Sequence, residues 1–187
     1  MSPLPRVVDP DKIRIGDIIL VATGTRITVY VQRRLGFGTR SKWTHVAGSL
    51  GGYDLIEGQI PRSRVADLQK DYVVKGFEIQ VVRKRQWERD QDRIKVALWW
   101  ATLNNLRYDF LGLIWFGIAC LMGRWLLLFR NEFNGVGKEF CSELLTDGFY
   151  KQGYNLFNRS ASDVLPANFD DPTLFEEVTD IWLEKEK

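Results

Sequence analysis

The feature that most constrains the fold is a pair of β-rich segments joined by two glycines. Residues 43–50 read Trp-Thr-His-Val-Ala-Gly-Ser-Leu, residues 53–57 read Tyr-Asp-Leu-Ile-Glu, and Gly51-Gly52 lies between them. Glycine pairs between two strand-like segments are typical of β-hairpins, since they accept the backbone conformations of a tight turn. The sequence therefore predicts antiparallel pairing in the N-terminal half of the chain.

Other segments before residue 90 also have strand or loop character. Residues 15–22 form a short β-branched run after a Gly-Asp turn and predict a buried strand, and residues 72–83 alternate well enough for one or two strands. Residues 26–35 fit neither period cleanly, and we favour a helix that ends at Gly36. Residues 36–42 then predict a basic, glycine-containing loop.

The C-terminal half is dominated by helical periodicity. Residues 89–106 have apolar side chains at helical spacing, and residues 138–153 predict an amphipathic helix with Gly153 at its C-terminal cap. Residues 161–166 indicate a short capped turn of helix, and residues 173–187 a strand or helix that closes the fold. We expect an α+β protein in which a small antiparallel sheet or partial barrel packs against helices.

The chain is expected to form one domain over residues 1–187, because 45% hydrophobic content supplies one substantial core and no linker is visible. An apolar helical insertion is predicted at about residues 110–130. A membrane-spanning helix needs roughly 20 apolar residues, and Gly123-Arg124 interrupt this segment. A charge inside a span costs about 2.5–3.5 kcal/mol. We therefore favour a buried or membrane-touching helical hairpin over a true span.

Charge and targeting signals leave several partners open. The net charge is +2, and the only charged residues between Asp17 and Asp54 are basic. This pattern predicts a basic face that is either simply solvated or in contact with an anion or membrane, and we expect no nucleic-acid partner. The N-terminus lacks the pattern of a signal peptide. We expect a protein that is cytoplasmic at synthesis, with signal-independent export or peripheral membrane attachment left open.

The chain contains a single histidine, His45, and two cysteines, Cys120 and Cys141. One histidine excludes zinc sites built on several histidines, and the two cysteines have no metal-ligand spacing; no cofactor is expected. Cys141 falls in the first turn of a predicted helix, where the positive end of the helix dipole stabilises a thiolate. The alternative is a small buried core residue, which free cysteines often are.

If Cys141 is a nucleophile assisted by an imidazole, the imidazole must be that of His45. A three-residue loop at 50–52 would pair Ser49 with Tyr53 and put His45 directly opposite Glu57, with Cβ atoms about 5 Å apart. A two-residue loop at Gly51-Gly52 would put them on opposite faces, so the pairing needs an odd loop or a bulge. Glu57 could then orient one ring nitrogen and leave the other to take the thiol proton.

These residues resemble a known family. Gly16-Asp17-Ile18-Ile19-Leu20, Trp43-Thr44-His45-Val46-Ala47, Leu55-Ile56-Glu57-Gly58 and Phe140-Cys141-Ser142-Glu143-Leu144-Leu145 are similar, in that order, to motifs of the circularly permuted NlpC-type cysteine hydrolases. Within the papain-like fold, these motifs resemble the YiiX-like group. The similarity runs from about Ile15 to Leu165 when residues 162–165 are counted as the late Ser/Pro-x-Asp-Leu segment of that family.

The resemblance implies a permuted papain-like fold and a role for each matched residue. Cys141 would be the nucleophile, His45 the base and later the acid, and Glu57 the orienting residue. Tyr108-Asp109 resembles a Tyr-Asp pair that often precedes the catalytic helix and would help to line the pocket. Trp43, in the histidine motif, is the third expected substrate-binding residue.

The implied reaction is acyl transfer through an acyl-enzyme, and two substrate classes are open. One is a peptide or cell-wall-type amide. The other is an acyl lipid, as in the related lecithin-retinol acyltransferase branch, handled by an acyltransferase or phospholipase-like effector at a membrane surface. Aromatic residues of the 110–130 segment would seat there, although they equally suit a core. A non-catalytic binding module of the same fold is the third alternative.

Three other polar residues near the motifs are expected to be structural. Ser142 and Glu143 are interpreted as first-turn residues of the helix, where a carboxylate is favourable beside the dipole. Asp17 is interpreted as a turn-forming residue.

Overall fold

The computed structural model describes residues 6–23, 41–108, 138–139 and 141–183, and their centre is a six-stranded antiparallel sheet. Its strands are β1 (Ile18–Ala22), β2 (His45–Gly51), β3 (Asp54–Glu57), β4 (Arg64–Asp67), β5 (Glu78–Lys84) and β8 (Phe175–Glu177). They lie in the order β4-β3-β2-β1-β5-β8. Within the described ranges the two edge strands do not pair, so the sheet is open. The predicted α+β class is confirmed.

In the described ranges, the main sheet is accompanied by two α-helices and a small second sheet. Helix α1 covers Asp90–Thr102 and helix α2 covers Cys141–Lys151, and two-residue strands β6 (Arg107–Tyr108) and β7 (Lys138–Glu139) pair in parallel. Short 3-10 helices span Pro10–Lys12, Ala161–Asp163 and Pro166–Asp170, and a π-helical turn spans Leu68–Val73. The helices predicted at residues 89–106 and 138–153 are therefore present, although residues 138–139 belong to β7 rather than to the helix.

The predicted hairpin is confirmed, but its register differs from the expected one. Ala47, not His45, is the cross-strand partner of Glu57, and the pairing shifts between Ser49 and Gly51 through a bulge. His45 lies two residues beyond the position opposite Glu57. Because side chains alternate with period two, a two-residue offset keeps both side chains on one face. The bulge adds the extra residue that is needed for His45 and Glu57 to share a face.

Each face of the sheet buries its own apolar cluster. Even-numbered residues of β1 and β2, such as Ile18, Leu20 and Val46, pack with α1 and α2. Odd-numbered residues, such as Val21 and Ala47, pack with the segment from β4 through the π-helical turn. This alternation follows from the strand geometry and assigns Cys141 to the first cluster and Tyr72 to the second.

Helix α2 packs closely on strand β2 because β2 carries a glycine at the contact. A Cβ atom at Gly48 would lie 2.5 Å from the ring of Trp100 in α1 and 2.8 Å from Leu145 in α2. Gly148 provides a second close approach, where a Cβ would lie 2.1 Å from Nε1 of Trp100. The indole Nε1 of Trp100 donates to the backbone oxygen of Leu145 at 3.0 Å. These contacts fix the height of α2 above the sheet.

The end of α2 also matches the sequence interpretation. Gly153 has a φ of +85°, which glycine adopts without steric cost, and the N–H of Tyr154 donates to the oxygen of Phe149. Gly153 therefore closes the helix as predicted.

The remaining predictions for the chain had mixed outcomes. The residue range 72–83 forms one strand, β5, while its first residues belong to the π-helical turn; β4 was not predicted. Residues 161–166 begin with a short 3-10 helix, and the C-terminal segment contributes β8. The predicted helix at 26–35, most of the loop at 36–42, Cys120 and the apolar segment at 110–130 lie outside the described residues. None of the helices in the described ranges combines the length and apolar character needed to cross a membrane.

Asp17 has the structural role that the sequence predicted. Its carboxylate accepts a hydrogen bond from the N–H of Arg14 at 2.8 Å and two from Arg83, at 2.8 and 2.7 Å. The Asp17 side chain is fully buried, so the bidentate ion pair compensates a charge that would otherwise be costly to bury.

Candidate active site

His45 and Glu57 form the first contact of the site. Nε2 of His45 lies 2.7 Å from Oε2 of Glu57, and the Glu57 side chain is fully buried while 15% of the His45 side chain is exposed. His45 begins β2 and Glu57 ends β3, so this pair is at one end of the sheet. Because the carboxylate of Glu57 accepts a hydrogen bond from Nε2, that nitrogen carries a proton. Nδ1 is then available to a second partner.

Glu57 accepts hydrogen bonds from two further side chains. Nε of Arg64 lies 2.9 Å from Oε1, and the hydroxyl of Tyr72 donates to Oε2. Arg64 is the cross-strand partner of Glu57 in the β3–β4 pairing, which explains their contact. The buried carboxylate is thus bonded on both oxygens.

Tyr72 also contacts the histidine itself. Its ring stacks on the imidazole with centroids 6.1 Å apart and an interplanar angle of 24°. The Tyr72 residue is 6% exposed and belongs to the apolar cluster on that face of the sheet. One side of the imidazole is therefore covered by an aromatic ring.

Cys141 is the first residue of helix α2 and is a free, buried thiol. It is 8% exposed and packs in the cluster on the helix side of the sheet. The first N–H groups of a helix have no partner within the helix and point out of its N-terminus. A thiolate at this position is stabilised by the helix dipole.

Cys141 and Glu57 both influence the protonation of His45. Burial lowers the pKa of His45, but the charge and hydrogen bond of Cys141, together with those of Glu57, outweigh burial and raise the pKa to about 10. Such a shift means that the protonated imidazole of His45 is favoured at neutral pH. The arrangement has the three parts of an activated nucleophile: thiol, base and orienting carboxylate.

The start of α2 is anchored by its second residue. The hydroxyl of Ser142 donates to the backbone oxygen of Val164 at 2.6 Å, and the hydroxyl of Thr146 donates to the oxygen of Ser142. The first bond ties the helix to the 162–165 segment, which the family resemblance includes. Ser142 is thus a structural first-turn residue, as expected.

A cavity of about 500 Å³ opens beside His45. Polar and apolar side chains both line it, and Cys141 is not among them: Thr23, Thr44, His45, Gly58, Gln59, Ile60, Arg64, Asp71, Tyr72, Lys75 and Phe77. Lys75 and Arg64 both pair with Asp71, at 3.0 and 3.9 Å. The cavity is large enough for a small organic group, and its charged side chains are already partly neutralised.

The other expected site residues have different positions. Trp43 is 3% exposed and packs in the core cluster that contains Cys141, and it is not among the residues that line the cavity. Tyr108 ends β6, which pairs with β7 three residues before α2 begins. Asp109 lies outside the described residues.

Sequence reasoning missed Arg64 and Tyr72, the two additional partners of Glu57. The only signal available for Arg64 was its position in a possible strand after Glu57. Tyr72 belongs to a π-helical turn, and no periodic pattern identifies such a turn.

The chain matches no protein-family model, and a search of curated proteins found no significant match.

Proposed function

We propose that this protein is a cysteine hydrolase of permuted papain-like fold that cleaves an amide or ester bond through an acyl-enzyme on Cys141. One observation carries the proposal: His45 is hydrogen-bonded to buried Glu57 through Nε2 and also interacts with Cys141 at the start of α2. Thiol acyl transfer requires these three groups: a nucleophile, a base and a residue that orients the base.

The reaction has two halves that use the same imidazole. The thiolate of Cys141 attacks the carbonyl carbon, and the C–N or C–O bond breaks as the leaving group takes a proton from the His45 imidazolium. Water then gives a proton to neutral His45 while attacking the thioester, and the acid and the thiolate are released. Backbone N–H groups at the start of α2 would stabilise the oxyanion of each tetrahedral intermediate.

The cavity beside His45 combines charged and hydroxyl side chains with apolar surface, so its lining is compatible with either substrate class. A peptide or cell-wall-type amide is the first candidate, because it is the commoner implication of the family resemblance. A lipid ester with peripheral membrane contact is the second candidate.

Product analysis tests the proposal without assuming a substrate. Wild type, Cys141→Ala and the matched control Cys120→Ala are incubated separately with cell-wall and lipid extracts, and the products are compared by mass spectrometry. Wild type and Cys120→Ala should release the same new products from the cell-wall extract, and Cys141→Ala should release none. Products from the lipid extract alone would replace the amide with an ester substrate. The hydrolase proposal fails if Cys141→Ala matches wild type in both extracts.

A further inference from the structure

Tyr72 contacts both members of the His45–Glu57 pair. Its hydroxyl donates to Oε2 of Glu57, the same oxygen that faces Nε2 of His45, and its ring stacks on the imidazole. We propose that Tyr72 is a positioning residue, which fixes the carboxylate against Nε2 and the ring plane so that Nδ1 is directed at Cys141. This inference rests on the proposed roles of His45 and Cys141.

Arg64 does not provide the same constraint. It holds Oε1, the oxygen that faces away from the histidine, and 44% of its side chain is exposed. Arg64 also faces Asp71 at 3.9 Å. Because solvent and a second carboxylate compete for the guanidinium, the buried hydroxyl of Tyr72 is the stronger geometric restraint on Oε2.

The turn that carries Tyr72 is held in an uncommon backbone conformation. The N–H of Val74 donates to the oxygen of Gln69, and the N–H of Phe77 to that of Tyr72, each across five residues. The side chain of Asp67 accepts the N–H of Lys70 and closes the start of the turn. π-helical turns are rare and recur at functional sites, and this one presents Tyr72 to the end of the sheet where His45 lies.

The competing explanation is that Tyr72 is an ordinary core tyrosine whose hydroxyl needs a partner. Tyr72→Phe separates the two, because it keeps the ring and removes only the hydroxyl. Tyr53→Phe is the matched control: the Tyr53 hydroxyl donates to the backbone oxygen of Val8 at 2.9 Å, and its ring packs on the same apolar cluster. Both variants lose one tyrosine hydrogen bond, but only one of these bonds involves Glu57.

The experiment uses the single histidine of the chain, whose ring signals in NMR spectra need no assignment among several. The exchange rate of the His45 Nε2 proton is measured together with the rate of Cys141 alkylation by iodoacetamide between pH 5 and 9. Tyr72→Phe should speed proton exchange and slow alkylation at neutral pH, each by about 10- to 100-fold, the cost of a misplaced catalytic group. Tyr53→Phe should change neither, although both variants lose similar stability in urea.

The proposal is overturned if Tyr72→Phe behaves like wild type, or if both phenylalanine variants change exchange and alkylation equally. Neither readout needs turnover, so the two proposals fail separately. Faster exchange in Tyr72→Phe, combined with product release that does not depend on Cys141, would retain the positioning role and reject the hydrolase.

Discussion

Substitution of Gly48 by alanine tests whether the close packing of α2 on β2 holds Cys141 against His45. A Cβ at this position would lie 2.5 and 2.7 Å from atoms of the Trp100 ring and 2.8 Å from Leu145. Ordinary contacts begin at about 3.4 Å, so the helices must move from β2 by nearly 1 Å. Overpacking of this kind costs about 1–3 kcal/mol of stability. A displacement of about 1 Å at a reacting group can also slow chemistry by about 100-fold.

The matched control is Gly148→Ala, which also collides with Trp100 but lies two helical turns from Cys141. This substitution should separate α1 from α2 and leave α2 seated on the strand that carries His45. Urea denaturation should show a comparable loss of stability in both variants. Iodoacetamide alkylation of Cys141 at neutral pH should slow only in Gly48→Ala. Normal alkylation in a destabilised Gly48→Ala protein, or equal slowing in both variants, would refute the argument that this packing aligns the site.

Three further predictions concern charge. The pKa of His45 is raised from 6.5 to about 10, so protonated His45 should contribute its full stabilisation below pH 6.5. This stabilisation should be lost as the pH rises through about 10. Urea denaturation of wild type and His45→Asn across this pH range measures the difference in unfolding free energy. Glu57→Gln should lower the pKa of His45 by about one pH unit or more by removing an anionic partner, as NMR titration would show, whereas Asp54→Asn on the same strand should not. Arg83→Met should cost about 3–5 kcal/mol of unfolding free energy by leaving buried Asp17 unpaired, with unchanged alkylation of Cys141; a loss below 1 kcal/mol would contradict this.

The candidate site was largely predictable because its parts have strong local signals. A glycine pair between β-rich segments predicts the hairpin, a cysteine at the start of an amphipathic helix is a recognisable setting, and a single histidine leaves no choice of imidazole. Of the predicted residues, His45 and Glu57 are in contact in the structure, and Cys141 contributes to raising the pKa of His45. Their catalytic roles stay a prediction.

The exact pairing was not predictable, because the length of the turn did not determine the register. Gly51 pairs with Asp54, and the register shifts through a bulge between Ser49 and Gly51. In this register, His45 lies two residues from the expected position opposite Glu57. A bulge depends on packing across the whole sheet rather than on local composition. The prediction that His45 and Glu57 share one face of the sheet was correct only because the expected and observed registers differ by an even number of residues.

The supports of Glu57 were missed for a different reason. Strand β4 is four residues long and acquires its conformation by pairing with β3, and the following π-helical turn has no sequence period of its own. Trp43, an expected substrate-binding residue, is buried in the apolar cluster that also contains Cys141, and its role stays a prediction. Tertiary contacts, rather than residue type, determine these positions.

The bulge in the β2–β3 hairpin has a consequence for how such a protein can vary during evolution. His45 and Glu57 share a face of the sheet because the hairpin between them contains one bulged position. The site therefore depends on the number of residues in the hairpin as well as on which residues they are. Substitutions along the hairpin that preserve its pairing leave that count unchanged. Loss or gain of one residue there would turn the histidine to the opposite face while every side chain of the triad was still encoded. Homologous hairpins that retain the activity should therefore differ in length by even numbers, or should compensate an odd change with a second bulge.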